Sequence, residues 1–155
     1  MEQKYTSANT SINSTKLPAI YGKVKELDNP TVSVIDYGCG KYLDSYKAKV
    51  NCQLYGYDPY NHPIRSALNR RYDVAICSNV LNVIKERSVR DLVLKELRRL
   101  APLVYITVYE GNKSGVGKVT KKDCWQENRK LPDYITELKS VFRNVSIKNG
   151  MAICQ

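Results

Sequence analysis

The chain alternates between two hydrophobic periods. "TVSVIDYG" (31–38) is a short β-branched run ending at glycine, the mark of a buried strand. A short helix is expected over 41–50, and "CQLYGYDP" (52–59) reads as a second strand stopped by Pro59. "YDVAICSN" (72–79) has a near-continuous apolar middle, as in a strand covered on both faces. Over 88–101 Val89, Leu92, Val93, Leu97 and Leu100 share one helical face, with Ser88 as cap and Pro102 as terminator. "LVYITVYEG" (103–111) is a fourth strand, 111–130 a glycine-rich basic loop, and Tyr134, Leu138, Val141 and Phe142 mark a helix after Pro132. Two short strands around Asn149-Gly150 close the chain as a hairpin.

This alternation predicts an α/β fold: a three-layer sandwich with a mostly parallel sheet, helices on both faces and a C-terminal β-hairpin. Ligands of such sheets bind beyond the carboxyl ends of the strands, so the loops after residues 38, 58, 79 and 110 are where function is expected. Residues 1–15, rich in Ser, Thr and Asn, read as a flexible tail before a single domain over 16–155.

Composition adds three constraints. The N-terminus has no apolar signal core and no stretch approaches the ~18–20 apolar residues of a membrane span, so a soluble cytoplasmic protein without a membrane partner is expected. Five cysteines, none in a C-x-x-C, and a single histidine, His62, argue for free thiols and no metal. The net charge of +10 favours a polyanionic partner, most often DNA or RNA.

The chemistry centres on "DYGCGKYLD" (36–44). A phosphate loop needs G-x-x-x-x-G-K-[ST], and here Gly38 and Gly40 are two apart with no Lys-Ser/Thr. A dinucleotide fingerprint needs a third glycine where Leu43 stands, and a nucleophilic Cys39 lacks a nearby histidine base. What remains is acid-x-Gly-x-Gly at a strand-to-helix turn. Gly38 and Gly40 let the backbone approach a ligand, amides at the helix start suit a carboxylate, and Asp36 suits an amine. Asp58 ends the second strand 22 residues after Asp36, where an acid grips the two hydroxyls of a ribose. An amino-acid end and a ribose without phosphate spell S-adenosylmethionine (SAM).

"VIDYGCGKYLD" followed by "LYGYDPYN" resembles motifs I and II of class I SAM-dependent methyltransferases. The segment 71–108 resembles their fourth strand, following helix and fifth strand. "DYGCG", "GYDPY" and "SNVLNVI" together are similar to methyltransferases that accompany bacterial DNA-modification systems and to small phage relatives; a phage-encoded protein would work in the host cytoplasm. The resemblance implies a Rossmann-like class I methyltransferase fold, shortened here, because only 14 residues separate Asp58 from Asp73 and leave no room for an outer helix and strand. It also implies cofactor contacts from Asp36, Gly38, Cys39, Gly40, Tyr42, Asp58, Pro59, Tyr60, Ser78 and Asn79. Tyr42 stands where the family has its third glycine.

Candidates for acting on the acceptor are Asn79, which can orient an amine, and Glu110, which can deprotonate or position it, with Ser78, Asn82 and Tyr109 also at strand ends. In the basic loop Lys118, Lys121 and Lys122 would meet phosphate and Trp125 a stacked base. The Asp-Pro-Tyr at 58–60 is not the Pro-Pro motif of amino-methylating DNA enzymes, which belongs at the fourth strand, and no cysteine follows a proline as cytosine-C5 chemistry needs. Three readings stay open: methylation of nucleic acid or a nucleic-acid-linked substrate, methylation of a small molecule or protein side chain, and a SAM-binding or SAM-consuming protein of phage–host defence that methylates nothing.

Overall fold

The computed structural model describes residues 3–6, 8 and 13–155. The remaining positions of the expected N-terminal tail lie outside the described residues. Four strands of five residues and a closing hairpin order the main sheet: β1 (Ser33–Tyr37), β2 (Gln53–Tyr57), β3 (Val74–Ser78), β4 (Leu103–Thr107), and the hairpin strands β7 (Val145–Lys148) and β8 (Met151–Cys154). They form one sheet in the order β2-β1-β3-β4-β8-β7. β1, β2, β3 and β4 pair in parallel, and β8 runs antiparallel to both neighbours. This is the mostly parallel, Rossmann-like order expected above, with one reversed strand set in from the edge. Between β7 and β8, Asn149 (φ 53°) and Gly150 (φ 70°) take the left-handed conformations a two-residue hairpin requires.

β2 is an edge: among the described residues no strand pairs with its outer side. Residues 59–72 instead hold a tight turn, in which Asp58 and His62 exchange backbone hydrogen bonds of 3.0 Å, and a 3₁₀ turn at Arg65–Asn69. The short spacing from Asp58 to Asp73 thus removes the outer strand, as its length dictates.

Apolar side chains from both faces of the sheet make two cores. One joins Ile35, Ala75, Cys77, Val104 and Ile106 to α2 (Arg87–Leu100) and α3 (Ile135–Val141). The other joins Val34, Leu54, Val74 and Ile76 to α1 (Leu43–Lys47) and to Ile20, Tyr21 and Leu27 ahead of β1. The α2 stripe differs from the expected one. Leu94, Leu97 and Leu100 are buried together with Arg90, whereas Leu92 is 46% exposed, and the helix starts at Arg87 with no side-chain cap, so Ser88 lies inside it.

Arg90 explains the shift. Its Nη2 meets Glu137 Oε1 at 2.7 Å and its Nη1 donates to the carbonyls of Ile84 (2.8 Å) and Lys85 (2.9 Å), so a buried charge is paired and held by several hydrogen bonds. Glu127 comes within 3.6 Å of the same guanidinium, which ties the 111–130 loop to α2 and α3. That loop also contains the two-residue strands β5 (Lys118–Val119) and β6 (Trp125–Gln126), paired antiparallel.

Candidate active site

β1 and β2 lie side by side in parallel, so the residues that follow their carboxyl ends converge, and the loop after β3 meets them from the other side. Together they surround a cavity of about 700 Å³, within the ~300–1,000 Å³ usual for small-molecule sites. The loops after β4 and around β6 complete it through Tyr109, Lys121 and Trp125.

Of the expected cofactor contacts, Asp36, Gly38, Cys39, Gly40, Asp58, Pro59, Tyr60, Ser78 and Asn79 all line this cavity. Gly38 (φ 85°) is held there by necessity, since a Cβ would fall 2.3 Å from Val80 Cγ2. Asn79 also has a left-handed backbone (φ 58°), a conformation asparagine tolerates and one that concentrates at functional turns.

The loop amides are spent differently from the expectation that they would meet a carboxylate. Gly38 and Cys39 N–H both donate to the Tyr57 carbonyl, at 2.7 and 3.2 Å, and Gly40 N–H donates to Asp58 Oδ2 at 3.1 Å. The following helix α1 is only five residues long. The turn therefore locks itself to β2 and positions Asp58. Asp58 Oδ1 accepts the amides of Tyr60 and Asn61, each at 2.9 Å, and Asn61 Nδ2 at 3.3 Å. With Oδ1 committed to the turn, Oδ2 is the atom with a lone pair left for a ligand.

Asp36 is 3% exposed and accepts a 2.5 Å hydrogen bond from Tyr21 Oη. Burial pushes its carboxyl up to about 7; the Tyr21 bond opposes this and the Asp58 charge adds to it. A carboxylate desolvated in this way gains most from a cation set against it. Cys39 is buried, and burial followed by the Asp36 charge pushes its thiol well above the ordinary range, which makes it a poor nucleophile. Its place is steric, its Sγ lying against Gly56.

Four expected site residues fall elsewhere. Tyr42 does not line the cavity; its hydroxyl donates to Asn13 Oδ1 at 2.6 Å. Glu110 does not line it either, because its Oε2 accepts the Leu131 amide at 2.7 Å and starts the 131–134 turn. Lys118 and Lys122 are exposed away from the cavity wall, on a loop whose antiparallel β5–β6 pairing turns only part of it inward.

Trp125 is fixed at the rim. Its Nε1 donates to Glu127 Oε2 at 2.6 Å, and Gly117 lies so close that a Cβ there would sit 2.3 Å from the ring. Tyr5 stacks on it with centroids 5.4 Å apart, and Lys85 Nζ lies 4.6 Å from the indole centroid. The Thr6 amide donates to the Asp123 carbonyl at 2.7 Å and the Lys4 amide to Glu86 Oε1 at 3.1 Å. Residues 3–6 of the expected tail thus lie against the cavity mouth, with Gln3 in its lining.

Two lining or supporting residues were not assigned a role from sequence: Tyr21, whose partner is Asp36, and Gln126, whose partner is the strand-end candidate Asn82. Asn82 is 2% exposed and its Nδ2 donates to Gln126 Oε1 at 3.0 Å.

No protein-family model and no curated protein matches the sequence. Among solved structures the chain is similar to magnesium protoporphyrin IX methyltransferase (ChlM) from Synechocystis PCC 6803. With bound SAM the identity is 17%, the coverage 81% of this chain and 71% of that one, and the TM-score 0.49. With bound SAH the values are 16%, 81%, 75% and 0.49.

Proposed function

We propose that this protein is a SAM-dependent methyltransferase. One observation carries the reading: two buried carboxylates, Asp36 and Asp58, follow each other at the ends of adjacent parallel strands and line one cavity, with the Cβ-free backbone of Gly38 between them. The donor set fits the cofactor. Asp36 would meet the ammonium of the methionine end, Asp58 Oδ2 a ribose hydroxyl, and Tyr57 and Tyr60 offer aromatic surface beside it. SAM supplies a methyl group on a sulfonium, already activated by its leaving group. The chain's share is to bind, to align and to exclude water, and alignment alone is worth up to ~7–11 kcal/mol in favourable systems.

For the acceptor we propose nucleic acid or a nucleic-acid-linked group. The net charge of +10, Lys121 in the cavity lining and Trp125 with Lys85 over its ring support this reading. A small-molecule acceptor is favoured by one contact: Tyr5 already covers a face of Trp125.

The test is transfer of radiolabelled methyl from SAM to separate DNA, RNA, protein and small-molecule fractions at rising salt. Label in a nucleic-acid fraction that declines steeply with salt supports the first acceptor; label in the small-molecule fraction supports the second. S-adenosylhomocysteine without labelled acceptor, or no turnover in any fraction, overturns the methyltransferase reading.

A further inference from the structure

Asn82 sits in the 3₁₀ turn Leu81–Val83 directly after β3, and it is clamped from two sides. Its carbonyl accepts the Glu127 amide at 2.8 Å, and its Nδ2 donates to Gln126 Oε1 at 3.0 Å. Gln126 Nε2 in turn donates to the Tyr109 carbonyl at 2.9 Å. This last bond sets the direction of the whole chain. A backbone carbonyl can only accept, so Gln126 must turn its nitrogen to Tyr109 and its oxygen to Asn82. Asn82 must then answer with its nitrogen, which leaves Oδ1 on the opposite side.

Among the described residues that Oδ1 is buried without a hydrogen-bond partner. A buried acceptor left unsatisfied is costly, and native structures rarely keep one without a reason. Two other side-chain atoms share this condition, Glu86 Oε2 and Tyr134 Oη, but neither residue lines the cavity, and Asn82 does.

We infer that Asn82 Oδ1 is the receptor for an N–H donor on the methyl acceptor, so that the acceptor group is a neutral amino nitrogen. The inference rests on the methyltransferase reading and narrows it to a substrate class. The choice of nitrogen over oxygen follows from what else lines the cavity. A hydroxyl needs its proton removed as it reacts, and the lining carboxylates are Asp36, bonded to Tyr21, and Asp58, bonded to the turn at 60–61 and to Gly40. Glu110 is committed to the Leu131 amide, and His62 is not in the lining. A neutral amine needs no base before it attacks, only an acceptor that holds one N–H and thereby aims its lone pair; as the N–C bond formed, the C–S bond of SAM would break, S-adenosylhomocysteine would leave, and the surplus proton of the methylammonium would pass to solvent.

A matched pair of fragments tests this without knowledge of the natural substrate. Aniline and toluene have the same shape, and only aniline carries N–H. Each is titrated into ¹⁵N-labelled protein saturated with S-adenosylhomocysteine, and into the protein alone, with the side-chain amide signals of Asn82 and Gln126 followed by NMR. The expected result is that aniline binds at least about tenfold more tightly than toluene and shifts the Asn82 signal, a preference that disappears in Asn82→Leu. Gln126→Leu, which frees Asn82 to rotate, should shrink the preference while leaving the backbone spectrum intact. Equal binding of the two fragments, an unmoved Asn82 signal, or a preference that survives Asn82→Leu overturns the inference. Failure of S-adenosylhomocysteine to bind would instead strike the cofactor reading, and the arm without it still reports on Asn82. In any labelled product, methyl on oxygen rather than nitrogen overturns the assignment as well.

Discussion

Tyr21 Oη donates to Asp36 Oδ2 at 2.5 Å, inside a site where both side chains are buried. The bond favours the ionised carboxylate, while burial and the Asp58 charge oppose it and leave the group near 7. Ionised Asp36 is the form that meets an ammonium. SAM affinity should therefore climb as pH rises through about 7 and level off above it. Tyr21→Phe removes the bond and should move that midpoint upward, as read by calorimetry at a series of pH values.

The same carboxyl makes a prediction for stability. Its folded value lies above its ordinary 3.8, so the native state holds the proton more tightly than the unfolded chain between the two values. Its contribution is full below about pH 4 and is lost as pH rises through about 7. Asp36→Asn should flatten this part of the stability profile, measured by urea unfolding across that window.

Gly38→Ala should damage both fold and site. The new Cβ would meet the stiff Val80 side chain, and φ at 85° costs a non-glycine residue roughly 1–3 kcal/mol. Val80→Ala on top of it should recover the steric part and leave the backbone part, which thermal unfolding of the single and double variants separates.

Glu110→Ala should lower stability by about 1 kcal/mol through loss of the Leu131 amide bond, with SAM affinity unchanged. A collapse of methyl transfer in a variant that stays folded would restore Glu110 to the chemistry.

Tyr5→Ala should expose a face of Trp125, the one tryptophan and thus a clean fluorescence probe. If that face stacks a base, quenching by an oligothymidine should occur at lower concentration than in wild type and weaken as salt rises. An unchanged titration would speak for the small acceptor.

What sequence alone made legible follows from how local each constraint is. Asp36, Gly38 and Gly40 are written into one strand-to-helix turn, and Asp58 into the end of the next strand, so period and spacing place all four. The missing outer strand is a matter of chain length between Asp58 and Asp73. The Asn149-Gly150 turn is chemistry of two adjacent residues. By contrast, Tyr21 meets Asp36 across 15 positions, Asn82 meets Gln126 across 44 and Arg90 meets Glu137 across 47. No local pattern marks such pairs. Arg90 carries no local sign of burial because its partner Glu137 is on another helix, and the face that includes Leu92 is rotated outward once that pair is buried. Glu110 stood at a strand end, where catalytic acids and turn-starting acids look alike until the partner amide is known.

The central claim is that SAM occupies the cavity between Asp36 and Asp58, and it is tested most directly by calorimetric titration of SAM into wild-type protein and Asp58→Asn. That substitution keeps an oxygen for the Tyr60 and Asn61 amides and replaces Oδ2, so circular dichroism should show the fold intact. The account predicts saturable one-to-one binding to wild type and a loss of at least about tenfold, or ~1.4 kcal/mol, in the variant. Absence of SAM binding to wild type, or undiminished affinity in the folded variant, would contradict it.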